Sequence, residues 1–316
     1  MKTEIFMIYT VTLNPSLDYV MNVKKFDVGS VNRSTSETVM PGGKGINVSL
    51  MLKELGFETE AMGFLAGFTG QEIRKLILEK GVSENFLFLK EGFSRINVKL
   101  KMHEETEVNG AGPAVSDSEK ELFFDRLEKE LQAGDVLVLS GSIPKGMSSS
   151  VYGDIMDRLS GRDVRIVADV SGKMLLDVLP RRPFLIKPNH HELGDFFARR
   201  IESREQAVFY AQKLQALGAV NVLVSLAGDG AVLVTEQAVY YADAPSGTVV
   251  NSVGAGDSSV AGFLAGWLRT KSARNALALA VAAGSATAFS NGIGTAAMVE
   301  ALLPFVNIQC EKGYCF

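Results

Sequence analysis

The 316-residue sequence has few cysteines, no long uncharged hydrophobic run and no excess of positive charge. Cys310 and Cys315, the two cysteines, have no histidine at ligand spacing, which argues against a disulfide framework or a structural zinc site. The net charge of −4 argues against nucleic acid or an anionic membrane surface as a partner. Because no segment is long and apolar enough to span a membrane, we expect a cytoplasmic protein.

Two nucleotide-binding motifs are also missing. A dinucleotide-dependent oxidoreductase would carry Gly-x-Gly-x-x-Gly after its first strand, but here the first apolar strand runs into Asn14-Pro15-Ser16-Leu17-Asp18. The segment Gly42-Gly43-Lys44-Gly45 lacks the spacing and the hydroxyl residue of a P-loop. Any phosphate must therefore be bound by other means.

Hydrophobic patterning predicts an α/β fold. Continuous apolar strands alternate with amphipathic helices, which is typical of a mostly parallel sheet with helices on both faces; these strands are 136–139, 164–170, 184–186 and 222–226. Two segments, at about 17–40 and 94–109, instead alternate apolar and polar residues, with a hairpin turn near His103-Glu104-Glu105. We expect them to form a small β-sheet lid inserted into a single domain spanning residues 1–316.

The stretch Val253-Gly254-Ala255-Gly256-Asp257-Ser258 is the centre of the functional hypothesis. Its glycines permit a tight turn before a helix, and the unpaired N–H groups of a helix start bind anions. Asp257 has two interpretations. It is either the N-cap of the helix, or a general base that takes a proton from a hydroxyl attacking a phosphoryl group.

Three further motifs each allow a structural and a functional interpretation. Lys44 lies at a glycine-rich helix start, which predicts either an anion site or an exposed lysine on a turn. Asn189 and Glu192, three residues apart, are either Mg²⁺ ligands or a capping box. The segment 228–230 is either a hairpin turn or a nucleotide-binding loop.

Together these motifs resemble the PfkB family of sugar kinases, which has a ribokinase-like fold. The resemblance covers nearly the whole chain. Each motif is weak alone, so the resemblance depends on their ordered set. The motifs are 12–15 with Asp18, 42–47, 140–144, 187–189 with Glu192, 225–230 and 254–258. It implies ATP as phosphate donor and Mg²⁺ as cofactor. It also implies that the lid closes over the sugar and that its outer face pairs two subunits into a homodimer.

The resemblance implies a role for each matching residue. Asp257 is the general base, and the backbone N–H groups of Gly254, Ala255, Gly256 and Asp257 form an anion hole. The sugar hydroxyls are assigned to Asp18, Gly43 and Asn47, and the phosphate already on the sugar to Lys44 and Arg95. On the nucleotide side are Lys187, Ser225, Gly228 and Gly230, with adenine near 284–291, and Asn189 and Glu192 orient Mg²⁺ through water.

Within the family, the segments Thr12 to Pro15, Gly42 to Asn47 and Arg95 to Lys99 are similar to 1-phosphofructokinases. The expected reaction is therefore the phosphorylation of fructose 1-phosphate to fructose 1,6-bisphosphate. The alternatives are a tagatose-6-phosphate kinase, a 6-phosphofructokinase and, in a different class, a non-catalytic sugar-phosphate sensor. A sensor would be expected to lose Asp257 or a glycine of the anion hole, and all of these residues are present.

Overall fold

The computed structural model describes residues 6–102 and 105–312. Ten of its strands form one large sheet in the order β14-β13-β12-β11-β10-β9-β8-β1-β4-β5. These strands are β1 (Ile8–Thr12), β4 (Thr59–Ala66), β5 (Ser83–Leu89), β8 (Val136–Ser140), β9 (Arg165–Asp169), β10 (Leu185–Ile186), β11 (Asn221–Ser225), β12 (Ala231–Val234), β13 (Ala238–Ala242) and β14 (Ile308–Lys312).

The central strands of this sheet are parallel. From β5 to β11 every neighbouring pair runs in the same direction, whereas β12, β13 and β14 pair antiparallel at one edge. Parallel strands bring their carboxyl ends to one edge, where ligands bind in folds of this kind. Thr12, Ser140, Asp169 and Ser225 all end strands at this edge, and Lys187 follows β10 there.

Helices cover both faces of the large sheet, because neighbouring residues of its buried strands point into two different cores. Tyr9 and Val11 contribute to one core and Ile8 to the other. The first core packs against α3 (Asp117–Glu130), α4 (Val151–Arg158), α5 (Gly172–Val178), α6 (His190–Phe197) and α7 (Arg204–Ala216). The second packs against α1 (Lys44–Glu54), α8 (Ala255–Thr270), α9 (Ala273–Ala288) and α10 (Ala296–Leu302).

The remaining four strands form a small second sheet in the order β3-β2-β6-β7, and this sheet contains the segments expected to form the lid. They are β2 (Ser16–Val23), β3 (Ser34–Gly42), β6 (Arg95–Lys101) and β7 (Thr106–Asn109). The helix α2 (Gly67–Glu79) contributes to a third, smaller core together with Leu17 of β2, so the lid begins directly from the body of the protein. The predicted α/β fold with its small second sheet is confirmed.

Element boundaries differ from the sequence-based prediction by a few residues. The strand expected over 184–186 has two residues, Leu185–Ile186, and the strand expected over 164–170 is Arg165–Asp169. Two residues of the predicted hairpin turn, His103 and Glu104, lie outside the described residues. Cys315, one of the two cysteines, also lies outside them. No helix within the described residues is long and apolar enough to cross a membrane.

Candidate active site

A cavity of about 460 Å³ lies between the lid and the carboxyl edge of the large sheet. Its walls contain the predicted residues Asp18, Gly43, Lys44, Asn47, Arg95, Lys187, Asn189, Glu192, Gly254, Gly256 and Asp257. The fold therefore brings most of the proposed site into one cavity. A second cavity, of about 590 Å³, extends under the lid and shares Asp18, Asn47, Lys99 and Val253 with the first.

Asp257 is not the N-cap of its helix. The helix α8 begins at Ala255, and Gly254 is the N-cap residue, with a φ of 81° that favours glycine. Asp257 is instead the third helical residue, and its buried Oδ2 accepts a hydrogen bond of 2.8 Å from Asn47 Nδ2. The capping interpretation of Asp257 is therefore wrong, and no hydrogen bond from the described residues reaches Oδ1 of this carboxylate.

Burial raises the pKa of Asp257 to about 6, and the negative charge of Asp169 adds to the increase. The charges of Lys44 and Lys187 and the hydrogen bond from Asn47 act in the opposite direction. The carboxylate is therefore ionised at neutral pH but basic enough to accept a proton, as general base catalysis requires.

The start of α8 leaves backbone donors free. The N–H of Ala255 donates to the Ser252 carbonyl at 3.2 Å, so it is already engaged within the turn. In the part of the chain that the structure describes, the N–H groups of Gly256 and Asp257 have no comparable backbone acceptor. They lie at the positive end of the helix dipole, which makes this turn suitable for an anion.

Asp18 lies on the lid strand β2, where three neighbouring side chains contact it. Ser16 Oγ donates to its Oδ1 at 2.6 Å, and Asn97 Nδ2 donates to the same oxygen at 3.1 Å. The buried ammonium group of Lys99 lies 3.5 Å from Oδ2 and also pairs with Glu107 at 3.2 Å. Asp18 is therefore held in place with acceptor capacity toward the cavity.

Arg95 lies at the lid end of the cavity. Its Nε donates to the Asn14 carbonyl at 3.0 Å, which fixes the side chain. Burial lowers the pKa of the guanidinium, opposed by the negative charge of Asp18. No carboxylate forms an ion pair with Arg95 within the described residues, so a bound anion would compensate for the desolvation of this cation.

Lys44 and Lys187 both pair with Asp169, which lies at the end of β9. Lys44 Nζ is 3.2 Å from Asp169 Oδ2, and Lys187 Nζ is 3.5 Å from Oδ1. Asp169 raises the pKa of Lys44. Lys44 is therefore a charged lysine in the wall of the cavity, and it pairs with a buried carboxylate although its own side chain remains partly exposed.

Asn189 and Glu192 form a reciprocal capping box at the start of α6. Glu192 N donates to Asn189 Oδ1 at 2.8 Å, and Asn189 N donates to Glu192 Oε2 at 2.9 Å. The structural interpretation of this motif is thus correct. It leaves Glu192 Oε1 outside the cap, so a role in metal binding remains compatible with it.

The segment 228–230 is a hairpin turn, since β11 and β12 pair antiparallel on either side of it. Gly230 is needed for the turn, because a β-carbon there would lie 2.0 Å from the Ala242 carbonyl oxygen. Ser225 forms a bridge with Asn189, which brings the hairpin next to the start of α6. Ser225, Gly228 and Gly230 do not line the 460 Å³ cavity.

Sequence reasoning missed Asp169, Asn97 and Lys99. Asp169 fell inside the predicted strand 164–170, although a charged residue at the end of an apolar parallel strand is a signal for the ligand edge. Asn97 and Lys99 share a strand face with Arg95 because side chains alternate along a strand. That periodicity would have identified both.

The sequence model of the pfkB family of carbohydrate kinases matches residues 11–300. The chain is 50% identical to 1-phosphofructokinase of Bacillus subtilis over 302 residues, covering 96% of this chain and 99% of that protein. It is 36% identical to D-tagatose-1-phosphate kinase of Bacillus licheniformis over 295 residues, covering 93% and 96%. The structure of phosphofructokinase-2 from Escherichia coli in complex with substrates and products superposes with a TM-score of 0.89 at 26% identity, covering 94% and 98%.

Proposed function

Since this chain belongs to the pfkB family of carbohydrate kinases, we propose that it transfers the terminal phosphoryl group of ATP to the 6-hydroxyl of fructose 1-phosphate. The product is fructose 1,6-bisphosphate. The observation that carries this proposal is the buried Asp257 beside a free helix start, in one cavity with the fixed cation Arg95. The whole chain acts as one kinase domain with the lid inserted.

Asp257 is the general base. Asn47 holds its Oδ2, and the other carboxylate oxygen accepts the proton of the sugar hydroxyl as that hydroxyl attacks the γ-phosphorus. The N–H groups at the start of α8 receive the charge on the transferring phosphoryl oxygens, with Gly256 and Asp257 as the main donors. Because these donors are fixed by the helix, they need no rearrangement during the reaction.

Asp18, Gly43 and Asn47 bind the sugar hydroxyls, and the guanidinium of Arg95 binds the phosphate already on the sugar. The bonds from Ser16 and Asn97 to Asp18 orient its carboxylate before the substrate arrives. A guanidinium can donate two parallel hydrogen bonds to a phosphate, so it suits a dianionic substrate.

The nucleotide lies along the start of α6 and the hairpin after β11. Lys187 reaches its phosphates, Ser225, Gly228 and Gly230 form the side of its binding region, and the adenine lies near residues 284–291. The bridge between Ser225 and Asn189 supports this arrangement, because it brings the hairpin next to the phosphate-binding edge.

Asn189 and Glu192 would hold Mg²⁺. One amide and one carboxylate suit an ion that keeps most of its water ligands, and Glu192 Oε1 remains outside the capping box. The bound ion supplies charge neutralisation between the nucleotide phosphates. Asn189 and Glu192 would orient this ion, since the capping box fixes both side chains at the rim of the cavity.

We further propose that the enzyme works in the cytoplasm, where ATP is available. We also propose that the outer face of the lid pairs two copies of this chain. The lid strands leave apolar side chains exposed, among them Val39 and Val108. Covering such surface favours association.

Two alternatives to this function are a kinase that acts on a tagatose phosphate and a sugar-phosphate sensor that catalyses no reaction. A kinase for a tagatose phosphate would use the same base and anion hole, and the tagatose kinase similar to this chain acts on the 1-phosphate. Tagatose differs from fructose only in the configuration at carbon 4. Because both substrates carry their phosphate on carbon 1, this alternative retains the position of the sugar phosphate. The sensor alternative receives no support, because Asp257 and its helix start are intact.

The test is a coupled assay with ATP and Mg²⁺ on four acceptors: fructose 1-phosphate, tagatose 1-phosphate, fructose 6-phosphate and fructose. We expect the highest kcat/KM with fructose 1-phosphate. Preference for tagatose 1-phosphate would change the sugar but retain the mechanism, and turnover of none would support a sensor.

The raised pKa of Asp257 predicts an acidic limit to activity. Below a pH of about 6 the carboxyl group is protonated and cannot accept the hydroxyl proton, so kcat/KM should fall about tenfold per pH unit. Measurement of kcat/KM from pH 5 to 8 tests this expectation.

The substrate phosphate itself ionises near pH 6, so a variant must separate the two groups. Asn47→Ala removes the hydrogen bond that lowers the pKa of Asp257 and should move the acidic limit to higher pH. An unchanged limit would assign the titration to the substrate instead.

A further inference from the structure

Asp169 is a buried carboxylate to which the proposed reaction assigns no role. It is 2% exposed at the carboxyl end of β9, between β8, which ends at Ser140, and β10, which Lys187 follows. Burial alone would raise its pKa, but the adjacent Lys187 and Lys44 reverse this effect and lower the pKa. Asp169 is therefore ionised, although complete desolvation of a carboxylate is costly without such partners.

The two lysines reach Asp169 from different elements. Lys44 is the first residue of α1, and Lys187 follows β10. Each approaches a different carboxylate oxygen, at 3.2 Å and 3.5 Å. The carboxylate thus brings together two cations that lie 143 positions apart in the sequence, and the group of three keeps one net positive charge.

This group adjoins the anion hole. The Lys187 ammonium lies 3.0 Å from the place that a β-carbon on Gly256 would occupy, so it touches the turn that begins α8. The charges of Lys44 and Lys187 both lower the pKa of Asp257, which places them near the base as well. The net positive charge therefore faces the position where the phosphoryl group is transferred.

We infer that Asp169 is a positioning residue that holds Lys44 and Lys187 together beside the anion hole, so that Lys44 acts on the transferred phosphoryl group. The inference rests on the proposed kinase function and deepens it. It replaces the sequence-based assignment of Lys44 to the phosphate already on the sugar. That phosphate is then bound by Arg95 without Lys44.

The contacts of the two cations support this division. Arg95 is fixed by the Asn14 carbonyl on the lid side, whereas Lys44 is fixed by Asp169 on the sheet side. Lys44 also interacts with the charges of Asp257 and Glu192, which belong to the transfer and nucleotide sides of the cavity. Arg95 instead interacts with Asp18 of the sugar side.

The first test is Lys44→Met, since this side chain is 37% exposed and Asp169 still pairs with Lys187 in the variant. We expect kcat to fall about 10²-fold, the scale of one lost oxyanion donor, with KM for fructose 1-phosphate within threefold of wild type. A KM raised tenfold or more with kcat retained would overturn the assignment of Lys44.

The second test is Asp169→Asn, which keeps the shape and removes the charge. We expect a similar loss in kcat, together with an acidic limit of activity at lower pH, because Asp169 raises the pKa of Asp257. Three charged groups act on the pKa of Asp257: Asp169 raises it, and Lys44 and Lys187 lower it. Removal of the Asp169 charge should therefore lower this pKa. A normal kcat in the folded variant would overturn the positioning role.

A double variant shows whether Asp169 acts through Lys44. If it does, Asp169→Asn should cost less in the Lys44→Met background than in wild type, and fully multiplicative losses would contradict the inference. Asp135→Asn is the matched control: Asp135 is a buried carboxylate directly before β8 that accepts hydrogen bonds from Met7 N and Gln132 N, and it does not line the cavity. It should change thermal stability and leave the pH profile unchanged.

Calorimetric binding of fructose 1-phosphate separates failure of this inference from failure of the proposed function. Lys44→Met should leave the Kd unchanged if the wild-type protein binds this sugar phosphate. Weaker binding in this variant refutes the inference alone, whereas no binding by the wild type refutes the proposed substrate. If the wild type does not bind fructose 1-phosphate, kcat and KM of Lys44→Met and wild type are compared with the acceptor that the coupled assay identifies.

Discussion

Replacement of Asp257 by asparagine is expected to lower kcat by about 10³ to 10⁴-fold, at the upper end of what general base catalysis contributes. The amide keeps the shape of the side chain and can still accept the hydrogen bond from Asn47. It has no basic oxygen that can take the hydroxyl proton at neutral pH. Single-turnover rates and calorimetric Kd values for both substrates would measure the effect.

Binding should change little in this variant, because Asp257→Asn removes a proton acceptor and leaves the remaining contacts of the cavity in place. Asp117→Asn is the matched control, since Asp117 is also an acidic residue in the first turn of a helix but lies on the surface at the start of α3. It should retain wild-type kcat. Turnover within tenfold of wild type in Asp257→Asn would remove Asp257 as the base.

The start of α8 could be predicted from sequence because its features are local. Glycines at 254 and 256, followed by a carboxylate and an apolar helix, specify a turn and a helix start within a few residues. The lid could be predicted for a similar reason, because alternation of apolar and polar residues is visible within one strand. Both features depend on neighbours in the sequence.

The contacts of the base could not be predicted in this way. Asn47 and Asp257 are 210 residues apart, and they meet because α1 and α8 pack on the same face of the large sheet. The pairing of Asp18 with Asn97 likewise depends on the register between β2 and β6. Helix packing and strand register depend on the whole fold, so single motifs do not contain them.

The role of Lys44 illustrates the same limit. Its position at a glycine-rich helix start predicts an anion-binding cation, and the structure places Lys44 in the wall of the 460 Å³ cavity. Which anion it serves depends on Asp169, a residue on a strand more than one hundred positions away. The sequence thus indicated the type of chemistry, and the fold determines where that chemistry acts.

Replacement of Arg95 by alanine is expected to raise KM for fructose 1-phosphate on the order of 10²-fold, since hydrogen bonds to charged groups contribute about 1.5–3 kcal/mol. KM for ATP should change little, because Arg95 lies on the lid side of the cavity and is fixed by the Asn14 carbonyl. Activity on unphosphorylated fructose should also change little, since that acceptor lacks the group that Arg95 binds. The preference for fructose 1-phosphate over fructose should therefore decrease on the order of 10²-fold, which kcat/KM values for both acceptors would measure.

Arg95→Lys separates charge from geometry. Lysine keeps the positive charge but not the planar fork that can bond to two phosphate oxygens, so its KM should fall between those of wild type and Arg95→Ala. The comparison matters because Arg95 is the first residue of the lid strand β6. An arginine that stabilised only this strand would affect fructose and fructose 1-phosphate equally. Equal losses on both acceptors would therefore assign Arg95 to the lid, and a loss confined to the phosphorylated sugar would identify the subsite that distinguishes them.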